Sequence, residues 1–176
     1  MRVDKSVEAG LALIAKDKSR ILGLSHGNHT NIQPGDFVPK GDATSPPKLT
    51  YAAASPSATY LVICLDLDGP FPNFSVCSPA LHWLQPGLKS TGTDTELLSK
   101  DPFVCDYAPP GPPPIGSPHR YVYFLYEQPD GFDGSKYAPP GGKGVGIGPR
   151  MRWSLDDWGK GVGLGPVLAV NYHSSQ

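Results

Sequence analysis

The residues best suited to chemistry stand where the most apolar runs of the chain begin or end. Residues 111–129, GPPPIGSPHRYVYFLYEQP, pass from a proline–glycine loop straight into His119-Arg120-Tyr121. Side chains alternate across a strand, so His119, Tyr121, Tyr123 and Leu125 share one face and Arg120, Val122, Phe124 and Tyr126 the other. His119 and Tyr121 therefore point together at the strand's start, beside a loop supplying Gly111 and Gly116. Arg120 points the other way and is expected to hold an acidic partner or loop carbonyls. Upstream, Leu65-Asp66-Leu67-Asp68-Gly69-Pro70 places two carboxylates at the end of another apolar run. Asp66, so close to a core, needs hydrogen-bond donors or a charged partner. His82, between Leu81 and Trp83, needs partners for the same reason. Taken singly, a strand histidine has an ordinary structural role and a carboxylate before Gly-Pro is a turn former. Only their convergence in space would make a site.

Other constellations are weaker. His26-Gly-Asn-His29 sets two imidazoles three apart in a polar loop without a third ligand, so no metal site is expected. There is no Gly-x-Ser-x-Gly elbow and no evident nucleophile, and nothing near Cys77 in sequence would activate its thiol. The near-repeat GKGVGIGP (142–149) and GKGVGLGP (159–166) lacks the spacing of a phosphate or dinucleotide loop.

The elements that must carry these residues read as mostly β. TYLVICLDL (59–67) is a continuous β-branched run, expected as a central strand covered on both faces. ALHWL (80–84), HRYVYFLYEQ (119–128) and VLAVNYH (167–173) read as further strands, with short ones around Phe37-Val38 and Leu49-Tyr51. Val7, Leu11 and Ile14 fall at helical spacing within residues 3–16. DTELLSKD (94–101) reads as a helical turn. A second helix begins at Ser154, its N-cap, and ends at Gly163 or Gly165.

With 176 residues, a single domain (1–176) is expected, an N-terminal helix and loop over 1–45 preceding a core over 46–176. Glycine and proline, 21 each without a period, call for long ordered loops on that scaffold. A net charge of −1 with mixed signs excludes the basic stripe that nucleic acid requires. The apolar stretch near the N-terminus is too short and too acidic for a signal peptide, and no run reaches membrane-span length. Three cysteines cannot all pair within one chain, so reduced thiols in a cytoplasmic protein are expected; a monomer is expected as well.

Three segments together resemble the phosphatidylethanolamine-binding proteins, the family of Raf kinase inhibitor and carboxypeptidase Y inhibitor proteins, in its fungal form. Asp66-Leu67-Asp68-Gly69-Pro70 resembles the family's Asp-Pro-Asp-Ala-Pro motif, Leu81-His82-Trp83 its next-strand histidine, and Gly116-Ser117-Pro118-His119-Arg120-Tyr121 its Gly-x-His-Arg-Tyr block. The resemblance spans residues 46–172. It implies a central antiparallel sheet packed on a smaller one, with peripheral helices. It also implies an anion pocket of Asp66, His82, Gly111, His119 and Tyr121, shaped by Asp68, Pro70, Ala80 and Pro118, with no metal or cofactor. Leu67 and Gly69 depart from the motif, Pro118 holds Ser117 extended, and Ala80 stands where relatives carry an aromatic residue, so a wider pocket is expected. The function implied is a non-enzymatic, cytoplasmic binding protein for phosphate, phosphorylethanolamine or a carboxylate, regulating a serine protease or a kinase. The alternative is an enzyme or accessory protein of fungal polyketide metabolism, acting in anhydride dimerisation through the same pocket.

Overall fold

The computed structural model describes residues 4–70, 77–92 and 95–176. Strand β3 (Tyr60–Asp66) is buried at every position and forms the centre of a five-stranded antiparallel sheet. Its neighbours are β4 (Ala80–Ser90) and β6 (His119–Glu127), with β7 (Ala169–Ser175) outside β6 and the short β5 (Leu97–Leu98) outside β4. β1 (Gly23–Ser25) and β2 (Lys48–Thr50) pair as a separate small antiparallel sheet. A strand hidden on both faces needs no polar alternation. Tyr60, Val62 and Cys64 thus feed one core, shared with Leu24, Leu49 and the small sheet's loops. Leu61, Ile63 and Leu65 feed a second core on the other face, closed by helices α1 (Lys5–Lys16) and α3 (Leu155–Val162). A short helix, α2 (Ile147–Arg150), precedes α3. Gly10 lets α1 sit against the sheet, because a Cβ there would stand 2.7 Å from the Phe124 ring.

Two expectations change. Residues 94–101 form no helical turn where described; Asp94 lies outside the described residues. Leu97 is buried and pairs, with Leu98, against Lys89–Ser90. A leucine pair at a sheet edge satisfies its backbone by extending the ladder, and tertiary pairing overrides local propensity. Phe37 makes only an isolated bridge to Ser174 rather than a strand. The ALHWL run, by contrast, continues to Ser90. It passes Pro86-Gly87 by bulging, since Tyr60 and Val62 of β3 face Leu88 and Gln85.

The helices are fastened to each other at their N-termini. Ser154 caps α3 by accepting from Asp157 N, as the sequence predicts, but the stronger contacts are long-range. Asp4 Oδ2 accepts from the backbone of Leu155 at 2.7 Å and of Asp156 at 3.3 Å, while Asp156 accepts from Lys5 N and Ser6 N, each at 2.9 Å. Each helix supplies the carboxylate that satisfies the other's orphan N–H groups. Burial, reinforced by Asp156, raises the Asp4 carboxyl. Against the cost of its own burial, the hydrogen bonds from Ser6 and Lys5 hold Asp156 down at about 2. Replacing Asp156 by Ala is expected to cost about 1–2 kcal/mol. Denaturant unfolding measures that loss, and hydrogen exchange should show faster opening concentrated in α1.

The larger core also encloses polar rings. His26 Nε2 and His173 Nε2 lie 3.2 and 3.4 Å from the Tyr123 hydroxyl. Burial lowers both histidines from 6.5 to about 4. A histidine depressed in the folded state binds fewer protons than in the unfolded one, so its neutral form favours folding. That contribution is complete above about pH 6.5 and is lost as pH falls towards 4. Melting temperature should therefore fall steadily across that window, and His173→Gln should flatten the dependence.

Candidate functional site

The register of the central strands decides which side chains meet. Asp66 lies between Ala80 of β4 and Tyr121 of β6. β6 runs two residues past this point, so His119 overhangs the end of β3. Its Nδ1 stands 2.9 Å from Asp66 Oδ2 and its Nε2 3.2 Å from the carbonyl of Pro70. Asp66 Oδ1 accepts from Asp68 N at 2.8 Å. The buried carboxylate thus has the donors that its position requires.

His82 joins them through a bulge. Cys64 faces Trp83 and Leu65 faces Leu81, so His82 is the extra residue on β4. Strict alternation from Trp83 would send His82 to the helix side; the bulge re-aims it towards Asp66. Its ring packs edge-on against Tyr121 with centroids 5.0 Å apart, and Nε2 lies 3.9 Å from Asp66 Oδ2. Nδ1 donates to the Ala108 carbonyl at 2.8 Å. Burial is the main cause lowering the His82 pKa, with the Arg150 charge adding to it. In the neutral ring Nδ1 keeps its proton, so Nε2 presents a lone pair.

These groups line one cavity of about 310 Å³, together with Gly111, Pro70, Ala80 and Gly69. The Tyr121 hydroxyl is buried, with Asp66 and the Gly111 N–H beside it, and completes no hydrogen bond among the described residues. Burial and the Asp66 charge raise its pKa, with the Gly111 N–H opposing them. It enters the cavity as a neutral donor. Much of the remaining wall is apolar, formed by Pro109, Pro113, Ile147 and Met151.

Asp68 and Pro118, expected to shape this pocket, are not among its lining residues. Asp68 lies on the opposite side, where Arg120 gives it Nε and Nη2, each at 2.8 Å. Burial alone would raise the Asp68 carboxyl, but the hydrogen bonds and charge of Arg120 lower it. Pro118 is exposed, and Pro113 of the same loop reaches the cavity instead. The backbones of His26 and His29 bridge each other but their side chains diverge, His26 buried at Tyr123 and His29 half-buried at Asp42, 2.9 Å away. Among the described residues no cluster is arranged to hold a metal ion, and no helix is long and apolar enough to cross a membrane. All three cysteines are free; Cys64 and Cys105 are buried and Cys77 borders the cavity.

Arg150 is the residue that sequence reasoning missed. It is buried at the back of the pocket and donates to the carbonyls of Val145, Leu81, His82 and Asp106, and to Asp106 Oδ1 at 2.6 Å. One guanidinium therefore fastens the β4 bulge, the 106–108 loop and α2 together. A signal existed only in hindsight, as an arginine between two apolar-rich stretches. Removing one partner of a buried ion pair leaves the other uncompensated. Because Asp106 remains partly exposed, Arg150→Met is expected to cost about 2–3 kcal/mol. Thermal unfolding measures the loss, and the His82 ring signals should broaden as the bulge loosens.

The model of the family described as PBP, phosphatidylethanolamine-binding protein, matches residues 28–173. The chain is 25% identical over 148 residues to carboxypeptidase Y inhibitor of Saccharomyces cerevisiae, covering 68% of each. It is 29% identical over 126 residues to phomoidride biosynthesis cluster protein N of Talaromyces stipitatus, covering 64% of this chain and 62% of that one. A solved structure of carboxypeptidase Y inhibitor complexed with its cognate proteinase has a TM-score of 0.72 at 23% identity, over 98% of this chain and 93% of that one. A phosphatidylethanolamine-binding protein from Plasmodium vivax has a TM-score of 0.68 at 15% identity, over 99% and 97%.

Proposed function

The chain belongs to the phosphatidylethanolamine-binding protein family, and from that premise we propose that it binds a small anionic head group and acts on a proteinase partner. The observation that carries the first half is the convergence of Asp66, His82 and His119 around the unpartnered Tyr121 hydroxyl in a single cavity. A buried donor without an acceptor is costly, and a ligand oxygen relieves it. Gly111 lines the same side of the cavity. Arg150 stands behind the pocket, its charge shared with Asp106. Support for the second half is the similarity to carboxypeptidase Y inhibitor.

The lone pair on His82 Nε2 sets a condition on the ligand. A fully deprotonated phosphate would meet that lone pair with another, so the complex must hold one further proton, either on the imidazole or on the ligand's own oxygen. An ammonium group on the same ligand finds Asp66. Phosphorylethanolamine carries both features.

A second reading rests on a separate observation, the similarity to phomoidride biosynthesis cluster protein N together with the apolar wall of Ile147 and Met151. In it, the same pocket serves a biosynthetic enzyme and admits an apolar carboxylate or anhydride. Turnover of anhydride precursors by the purified protein above the uncatalysed rate would replace the binding reading with this one.

Titration with phosphorylethanolamine, followed by NMR, is expected to shift the ring signals of His82, His119 and Tyr121. Because the complex retains a proton, affinity should rise as pH falls from 8 to 6, by at most about tenfold per unit. His82→Ala should abolish binding with the fold intact. If the rings stay silent at millimolar ligand, the head-group reading fails.

A further inference from the structure

Arg120 follows His119 by one residue and so leaves β6 on the opposite face of the sheet, beneath α1. A second cavity, of about 300 Å³, opens there. Its floor is the hydrocarbon of Leu11, Ile14 and Ala15 from α1, and its walls include Pro34 and the ring of Tyr172. Lys18 and Arg120 are the charged residues lining it, and no carboxylate is among the described lining residues.

The polar groups here have unused capacity. Lys18 has no carboxylate partner among the described residues, and the adjacent Asp17 is taken by Ser19 and Arg20. Arg120 spends Nε and Nη2 on Asp68, while Nη1 donates to no described group. Asp68 is not part of the lining, so it anchors the guanidinium without occupying the groove. The Tyr172 hydroxyl, beside Gly35, is a further polar group without a described hydrogen-bond partner. Two cations and a hydroxyl thus border a hydrocarbon floor.

That combination selects its ligand. Inorganic phosphate would leave the floor of α1 uncovered, and a neutral hydrocarbon would leave both cations without a counter-charge. The volume lies at the lower end of small-molecule sites, too small for a two-chain lipid. We propose that this groove is a second binding site, for a carboxylate bearing one short aliphatic chain. The carboxylate lies between Lys18 and Arg120 Nη1, and the chain runs along Leu11, Ile14 and Ala15. The site is independent of the pocket on the other face.

Octanoate is the probe, titrated into the full chain and followed by methyl and arginine side-chain NMR, with octanol as the uncharged control. Saturable shifts are expected at Leu11, Ile14, Ala15 and the Arg120 Nε–H. Lys18 is exposed, so Lys18→Glu should leave the fold intact and weaken octanoate about tenfold, since it replaces an attraction by a repulsion. Phosphorylethanolamine shifts at His82 should be unchanged in that variant, which reads the two sites separately. Three results would each overturn the proposal: no saturable shift at the α1 methyls, equal binding of octanol, or shifts confined to Tyr121, Ile147 and Met151. Undiminished binding by Lys18→Glu would do so as well.

Discussion

The structure depends on one buried carboxylate. Asp66 ends the most enclosed strand of the sheet, where a carboxyl group needs hydrogen-bond donors of its own. That requirement draws in His119 from β6 and turns the chain back so that Asp68 N reaches Asp66 Oδ1. The loop after β3 and the start of β6 therefore hold their positions for an electrostatic reason before any ligand is considered. The pocket is the space left where those commitments end, with the Tyr121 hydroxyl still unspent.

Asp68 and Arg120 repeat the arrangement one step further along, on the other face. Two acid–base pairs, Asp66–His119 and Asp68–Arg120, thus grip the same turn from opposite sides. The alternation of a strand is enough to produce this, since consecutive residues must diverge. Neither pair would hold the turn alone as firmly. The exposed Arg120 pair is partly screened by solvent and the buried Asp66 pair is not.

Much of this was legible in the sequence because it follows from local rules. The unbroken apolar run of β3 announced a central strand, parity separated His119 and Tyr121 from Arg120, and Ser154 marked the start of α3. The parts that were not legible arise from register and from distance along the chain. A bulge at His82 leaves no sequence pattern of its own, because one extra residue shifts alternation without changing composition. Arg150 carries no periodic signature and gains its role only where three segments converge. The pairing of Leu97 and Leu98 needed an edge that β4 supplies. Asp68 belongs to the same short motif as Asp66, yet the turn between them carries it to the far face, where Arg120 holds it.

The exchange of caps between α1 and α3 bears on how the chain acquires its shape during synthesis. Lys5 and Asp156 are 151 residues apart, so the first helix leaves the ribosome long before its cap exists. Until then its N-terminal amide groups are served by water, and its apolar stripe has no finished sheet to cover, because Val170 emerges later still. A helix of 12 residues is marginal by itself. The cap of α1 is therefore completed only late in synthesis, after β3, β4 and β6 at the centre of the sheet have emerged.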